Sequence, residues 1–158
     1  MRHGSRFSLW WLAALLYPAG ILLAVTDPDF SRASMESFIH HFFPNLPAAM
    51  VAGIAFYGRR AFHVLIYAVL AIILINAQLA TGRPKRTRGA RLAVGIQSIV
   101  LAGAVATFDE VLQRYSDFRT GELLDILLDL AGIALGAFLR LRVRRRTPRK
   151  GEADAGRL

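Results

Sequence analysis

The chain has 158 residues, a length that suits one domain, and 54% of them are hydrophobic. It contains no cysteine, which excludes disulfides and thiolate chemistry and leaves His and carboxylates as the strong metal donors. The formal net charge of +9 would suit nucleic acid if it formed one basic face, but the cations instead cluster between and after long apolar runs, so no nucleic-acid partner is expected.

Phe7–Thr26 carries no Asp, Glu, Lys or Arg. At about 1.5 Å per helical residue such a run matches the roughly 30 Å hydrocarbon layer of a bilayer. Arg2 and Arg6 before it resemble the basic start of a signal peptide. The apolar run exceeds the roughly 7–15 residues of a signal core, however, and no small-residue cleavage site follows, so an uncleaved first span over 7–26 is expected. Ser37–Gly58, SFIHHFFPNLPAAMVAGIAFYG, is also free of formal charge, but Pro44 and Pro47 interrupt it. It is expected to stay on one face of the membrane. Met35–Phe43 would form a short interfacial helix, and Leu46–Tyr57 a re-entrant or surface-lying one. His40 and His41 are adjacent and point in different directions on a helix, so they read as interfacial residues and not as ligands. Further spans are expected over 61–82, 91–109 and 122–140. The last of these carries Asp125 and Asp129 inside an otherwise apolar run. No period-2 alternation appears, which argues against a β-barrel. The fold class is therefore all-α, an integral membrane four-helix bundle with an extra helical segment between the first two spans. Residues 1–141 would form the transmembrane domain and 142–158 a basic tail.

Four spans place fifteen of the 20 Lys and Arg on one side, in the N-terminus, the Arg83–Arg91 loop and the tail. Nine of the 11 acidic residues fall on or at the boundary of the other side. Basic loops resist translocation, so both termini are expected in the cytoplasm, with the tail facing anionic lipid. A fifth crossing through 37–58 would put five cations of the Arg83–Arg91 loop outside, against this rule.

On this topology the unusual polar residues gather at the outer end. His63 and Tyr67 are four apart near the start of the second span. Glu110 and Gln113 continue from the end of the third, and would share a face if that helix extends. Arg119 follows in the outer loop, and Arg59 and Arg60 precede the second span. In the fourth span Asp125, Asp129, Gly132 and Gly136 are spaced 4, 3 and 4, so they share one face. The Gly132–Gly136 pair is of the GxxxG type that admits a neighbouring helix backbone, so this face points into the bundle and takes both Asp with it. Intramembrane carboxylates read by default as a site. A purely structural alternative pairs Asp125 with Arg119 and hydrogen-bonds Asp129 to Tyr67.

His63-x-x-x-Tyr67 followed by AVLA, and Glu110-x-x-Gln113 with Arg119, Asp125, Gly132 and Gly136, resemble the two motifs of the VanZ-like family over roughly residues 58–140. That family is associated with teicoplanin resistance, and the resemblance implies a multi-pass protein of the bacterial cytoplasmic membrane. Arg59 and Arg60 stand where the family usually has Asp-Lys, and Asp129 where it has Asn.

Three functions follow as expectations. In the first, Arg59, Arg60, Arg119 and His63 recognise an anionic headgroup of a membrane lipid or lipid-linked envelope precursor, because a guanidinium fork matches phosphate oxygens. Glu110, Asp125 and Asp129 would orient the arginines, with Gln113 and Tyr67 supplying neutral hydrogen bonds. In the second, the protein is an enzyme on such a lipid, with Asp129 as acid, Glu110 as the water-facing carboxylate and His63 as proton shuttle. In the third it is a proton- or ion-coupled transporter. No HExxH-type spacing is present, so neither a metal nor a cofactor is expected; a metal-dependent variant would use His63 with Glu110, Asp125 and Asp129. The oligomeric state is left open.

Overall fold

The computed structural model describes residues 4–25, 31–81, 87–115 and 123–142. These form five helices and, among the described residues, no strand: α1 (Gly4–Val25), α2 (Arg32–Phe42), α3 (Ala48–Thr81), α4 (Arg88–Arg114) and α5 (Leu123–Arg142). Arg119 and the tail beyond Arg142 lie outside the described residues.

The helix ends follow local chemistry. The Ser31 hydroxyl caps α2 by accepting from the Ser34 N–H at 3.3 Å, and Thr87 caps α4 by accepting from Ala90. Pro44 and Pro47 occupy the turn after α2, where their missing N–H groups cost nothing, and the Pro47 carbonyl accepts the N–H groups of Met50 and Val51 at the start of α3.

Here the structure corrects one expectation. Leu46–Tyr57 is not a separate re-entrant or surface segment leading to a span that begins at Ala61. From Ala48 onward it is continuous with the 61–81 stretch in one 34-residue helix. Both prolines precede Ala48, and no Pro lies between Ala48 and Thr81, so nothing breaks the helix. Arg59 and Arg60 do not interrupt it because their head groups have a carboxylate partner on α5. At 1.5 Å per residue α3 is about 50 Å long, well beyond one hydrocarbon layer. A short helix is present where one was expected over 35–43: α2 starts three residues earlier and buries no residue.

α3 is the central element and touches each of the other four helices, while α1 and α5 do not meet. Directions follow from the cross-links. Trp11 Nε1 donates to Thr81 Oγ1 and the Tyr17 hydroxyl to the Ile66 carbonyl, so α1 is antiparallel to α3. Tyr67 bonds Asp109 and Gln78 bonds Ser98, so α4 is also antiparallel to α3. Arg59 meets Asp125, His63 meets Asp129 and Asn76 meets Arg140, so α5 runs parallel to α3.

The α3–α5 seam has no side chains to spare at its centre. A Cβ on Gly132 would overlap the Val64 carbonyl and lie 3.0 Å from the Val64 Cα; one on Gly136 would overlap the Ala68 carbonyl and lie 2.8 Å from the Ala68 Cα. Both pairs are i, i+4 on their helices, so the GxxxG face meets a backbone ridge of α3, as expected from the spacing.

The polarity of the assembly is inverted relative to a water-soluble bundle. Leu15 and Leu23 are 70% and 71% exposed, and Leu124, Leu127, Leu135, Phe138 and Leu139 all face outward on α5. Asp125 and Asp129 of that helix point inward beside Ile133 and Ala137. Two helical stretches, Ala48–Thr81 and Gly89–Arg114, are long and apolar enough to cross a membrane, and Leu9–Ala24 is a shorter apolar stretch.

Gly136→Ala is expected to lower the unfolding temperature in detergent, with a destabilisation of about 1–3 kcal/mol from overpacking against a backbone that cannot yield. Gly53 on α3 has nothing within 4 Å of an added Cβ, so Gly53→Ala should be neutral or slightly stabilising through helix propensity. Equal thermal shifts for the two variants would contradict the close seam.

Candidate functional site

α4 continues unbroken to Arg114, and this extension brings its polar residues against α3 and α5. On one side Ala102, Ala106, Asp109 and Gln113 follow a 4, 3, 4 spacing and are all buried, so Asp109 faces the bundle because the helical period carries it there. α3 contributes Arg59, Arg60, His63 and Tyr67, and α5 contributes Asp125 and Asp129. These six expected site residues lie at the same end of the bundle as Glu110 and Gln113 of α4, and Asp109 joins them.

Two networks share the site. In the outer one Arg59 Nη2 donates to Asp125 Oδ2 at 3.0 Å and lies 3.5 Å from Gln113 Oε1. Arg60 Nε stands 3.6 Å from Asp125 Oδ1, with its guanidinium carbon 3.7 Å from the centre of the Phe56 ring. Asp125 is thus gripped on both oxygens by consecutive arginines. In the inner network His63 Nδ1 lies 3.1 Å from Asp129 Oδ1. The Tyr67 hydroxyl donates to Asp109 Oδ2 at 2.9 Å, and Gln113 Nε2 donates to the same oxygen at 3.0 Å. The His63 and Tyr67 rings stack loosely, their centroids 6.4 Å apart, as i, i+4 neighbours on α3.

The partnerships differ from the structural alternative drawn from the sequence. Asp125 pairs with Arg59 and Arg60, and Arg119 lies outside the described residues. Asp129 pairs with His63, whereas Tyr67 serves Asp109. Glu110 is not a water-facing carboxylate: it is 2% exposed against 1% for Asp129, so the expected contrast between a dry acid and a wet base is missing. Neither Glu110 oxygen has a hydrogen-bond partner among the described residues. His40 and His41 lie on α2 apart from this cluster, with His41 edge-on to Phe42.

Two residues of the site were not singled out from the sequence. Asp109 was passed over for its neighbour Glu110, although its i, i+4 relation to Gln113 and its place below Ala102 and Ala106 mark the buried stripe. Arg32 is the second. It opens α2, forms a surface pair with Glu36 at 2.7 Å, and borders a half-open cavity of about 800 Å³ between α1, α2 and α3. Most of that cavity wall is apolar, including Leu16, Ile21, Met35, Phe38, Phe62 and Ile66. Its ionisable wall residues include Arg32, Arg59, His63 and Asp109, with Ser31 and Ser34 beside Arg32, so the cavity opens directly onto the networks described above. Arg60 does not line it.

Below the site a layer of Leu70, Ala71, Leu74 and Ala102 is fully or nearly fully buried. Past this layer come Gln78 with Ser98, and Asn76 with Arg140 at 2.5 Å. Compared with protein-family models, with curated proteins and with solved structures, the chain matches none.

Tyr67→Phe removes a donor from a buried carboxylate, and hydrogen bonds to charged groups contribute about 1.5–3 kcal/mol. It should destabilise the protein by about that amount. Tyr17→Phe removes only a 3.2 Å bond to a backbone carbonyl at a part-buried site and should cost about 0.5–1.5 kcal/mol. Reversible unfolding of both variants in detergent checks the order; a larger effect at Tyr17 would contradict the Asp109 network.

Proposed function

We propose that the chain is a multi-pass membrane protein whose polar site binds the anionic headgroup of a lipid or lipid-linked envelope molecule, with the acyl portion in the adjoining cavity. The observation that carries this proposal is the cavity itself. About 800 Å³ falls within the range of small-molecule pockets, and this one is apolar along most of its wall with arginines and a histidine at one side. That is the polarity of a lipid: chain against Leu, Ile and Phe, phosphate against guanidinium. The inverted distribution of polar and apolar side chains supports the membrane setting. Lipid tails are as apolar as Leu, so outward Leu costs nothing there, while ionisable groups turn inward to find partners.

In this proposal α1, α3, α4 and α5 all cross the bilayer and α2 lies at the outer surface. α5 tolerates Asp125 and Asp129 because both are sheltered, and its Arg140 and Arg142 reach the opposite interface. The cation bias of the sequence then puts both termini in the cytoplasm. The headgroup ligands are Arg32 and Arg59. Arg60 acts through Asp125, which holds the guanidinium of Arg59 toward the cavity. Membership of the VanZ-like family, and with it modulation of the bacterial envelope, remains a proposal that rests on the two motifs.

An enzymatic role on the same ligand is the second reading, favoured by one observation: His63 and Asp109 border the cavity that would hold the headgroup. A transporter is disfavoured, since the apolar layer of Leu70, Ala71 and Leu74 separates the site from the polar pairs at the other end.

Native mass spectrometry of the detergent-purified protein tests the proposal. Arg32 is half-exposed and its only described ion pair is on the surface, so Arg32→Ala should fold as the wild type does. A phosphate-bearing lipid should remain on the wild type and be retained at least about tenfold less by Arg32→Ala, the loss of one charge-assisted contact. Equal lipid retention by the two proteins, or none by the wild type, would overturn the headgroup site.

A further inference from the structure

The inner network gathers buried carboxylates from two helices beside one histidine. Asp109, Glu110, Asp125 and Asp129 are all buried, each at most 4% exposed. The two arginines of α3 both engage Asp125. Arg114 acts on Glu110 only from the exposed rim of α4. That leaves Asp109, Glu110 and Asp129 around one histidine, with Glu110 lacking any hydrogen bond among the described residues. A buried carboxylate without a hydrogen-bond partner, as Glu110 is among the described residues, is costly, and a carboxylate cluster that holds one attracts a cation.

The geometry provides a place for one. A ring nitrogen of His63 and carboxylate oxygens of Asp109 and Asp129 lie within 4.8 Å of one another, each residue buried and each from a different helix. Adjacent ligands at about 2.1 Å from a metal stand about 3 Å apart, close to the 3.1 Å between His63 Nδ1 and Asp129 Oδ1. Ligating carboxylates are held by outer donors, and Asp109 has two, the Tyr67 hydroxyl and the Gln113 amide, on a single oxygen. His63 and Asp109 also border the cavity, so a bound ion would be reachable from it.

We infer that His63, Asp109 and Asp129 form a binding site for a divalent transition-metal ion, with its remaining coordination positions facing the α1–α2–α3 cavity. One imidazole with two carboxylates suits Zn²⁺ or Mn²⁺; purely oxygen-ligated Ca²⁺ or Mg²⁺ would not call for the histidine. Glu110 supplies negative charge close to the ion without being one of the three ligands. The donors come from positions 63, 109 and 129, with no local motif to announce them, so spacing along the chain gives no sign of the site. The set differs from the one the sequence suggested, in which Glu110 and Asp125 would join His63: Asp125 is committed to Arg59 and Arg60, and Asp109 takes the place nearest His63. This inference stands apart from the headgroup proposal and requires no lipid.

The test is a titration of chelator-stripped, detergent-purified wild-type protein with Mn²⁺ alone, followed by electron paramagnetic resonance, with Zn²⁺ as competitor. One saturable Mn²⁺ per chain, displaced by Zn²⁺, is expected, together with a rise in unfolding temperature on binding. Asp109→Asn and Asp129→Asn should each weaken binding at least tenfold, and the surface variant Glu36→Gln should leave it unchanged. Folded wild-type protein with no saturable Mn²⁺ or Zn²⁺ would overturn the site, and so would undiminished affinity in either Asn variant. If an Asn variant fails to fold, the wild-type titration and its thermal shift decide alone. Failure here leaves lipid retention by Arg32 untouched, and failure of lipid retention leaves the metal titration untouched, so the two proposals fall separately.

Discussion

The backbone contact between α3 and α5 is the constraint on which the rest of the structure depends. Gly132 and Gly136 lie against the carbonyls of Val64 and Ala68 with no room for a Cβ. Two helices packed this closely cannot slide by a residue without driving a side chain into backbone. The register is therefore set near the middle of the seam, and it propagates outward one helical turn at a time. The first turn above the glycines brings His63 to Asp129, and the next brings Arg59 and Arg60 to Asp125. Below them Asn76 meets Arg140. A contact between residues without side chains thus decides which charged side chains meet.

The same seam explains how four carboxylates are kept inside an otherwise apolar assembly. Each is delivered to the interior by a helix whose opposite face is Leu, Ile and Phe, as on α5, where Leu124 and Leu127 face out while Asp125 and Asp129 face in. Such a helix would be inside-out in water, where burying charge and exposing Leu are both unfavourable. In lipid the preferences reverse for the outer face, and the interior becomes the only place where ionisable groups find partners. The partners differ by depth. Guanidinium groups satisfy Asp125 near the rim, while a phenol, an amide and an imidazole serve Asp109 and Asp129 farther in. The inner group places three carboxylates beside one histidine, and His63 and Asp109 of that group border the cavity.

Much of this was legible in the sequence because helical spacing is a strong signal. The 4, 3, 4 stripe of Asp125, Asp129, Gly132 and Gly136 gave the inward face of α5 and the close approach of a neighbour. The charge-free runs marked the cores of α1, α3 and α4. The continuity of α3 was not legible, because Arg59 and Arg60 look like the edge of a span until their partner on α5 is known. Pairings between helices were equally hidden: nothing in the spacing of His63, Asp109 and Asp129 says that separations of 46 and 66 residues close to within 4.8 Å. Asp109 was lost for a different reason. Its i, i+4 relation to Gln113 is as regular as the i, i+3 relation of Glu110, and only the packing of α4 against α3 shows that Asp109 takes the Tyr67 hydroxyl.

The most direct measurement of whether this seam builds the site is a double-mutant cycle on His63 and Asp129, the pair one turn above the glycines. Reversible unfolding in detergent would be followed for the wild type, His63→Ala, Asp129→Ala and the double variant. Residues in contact within one buried network show coupling of about 0.5–3 kcal/mol, and a value in that range is expected here. Additive effects, within about 0.5 kcal/mol, would mean that α3 and α5 do not meet in this register and that the inner network is not formed.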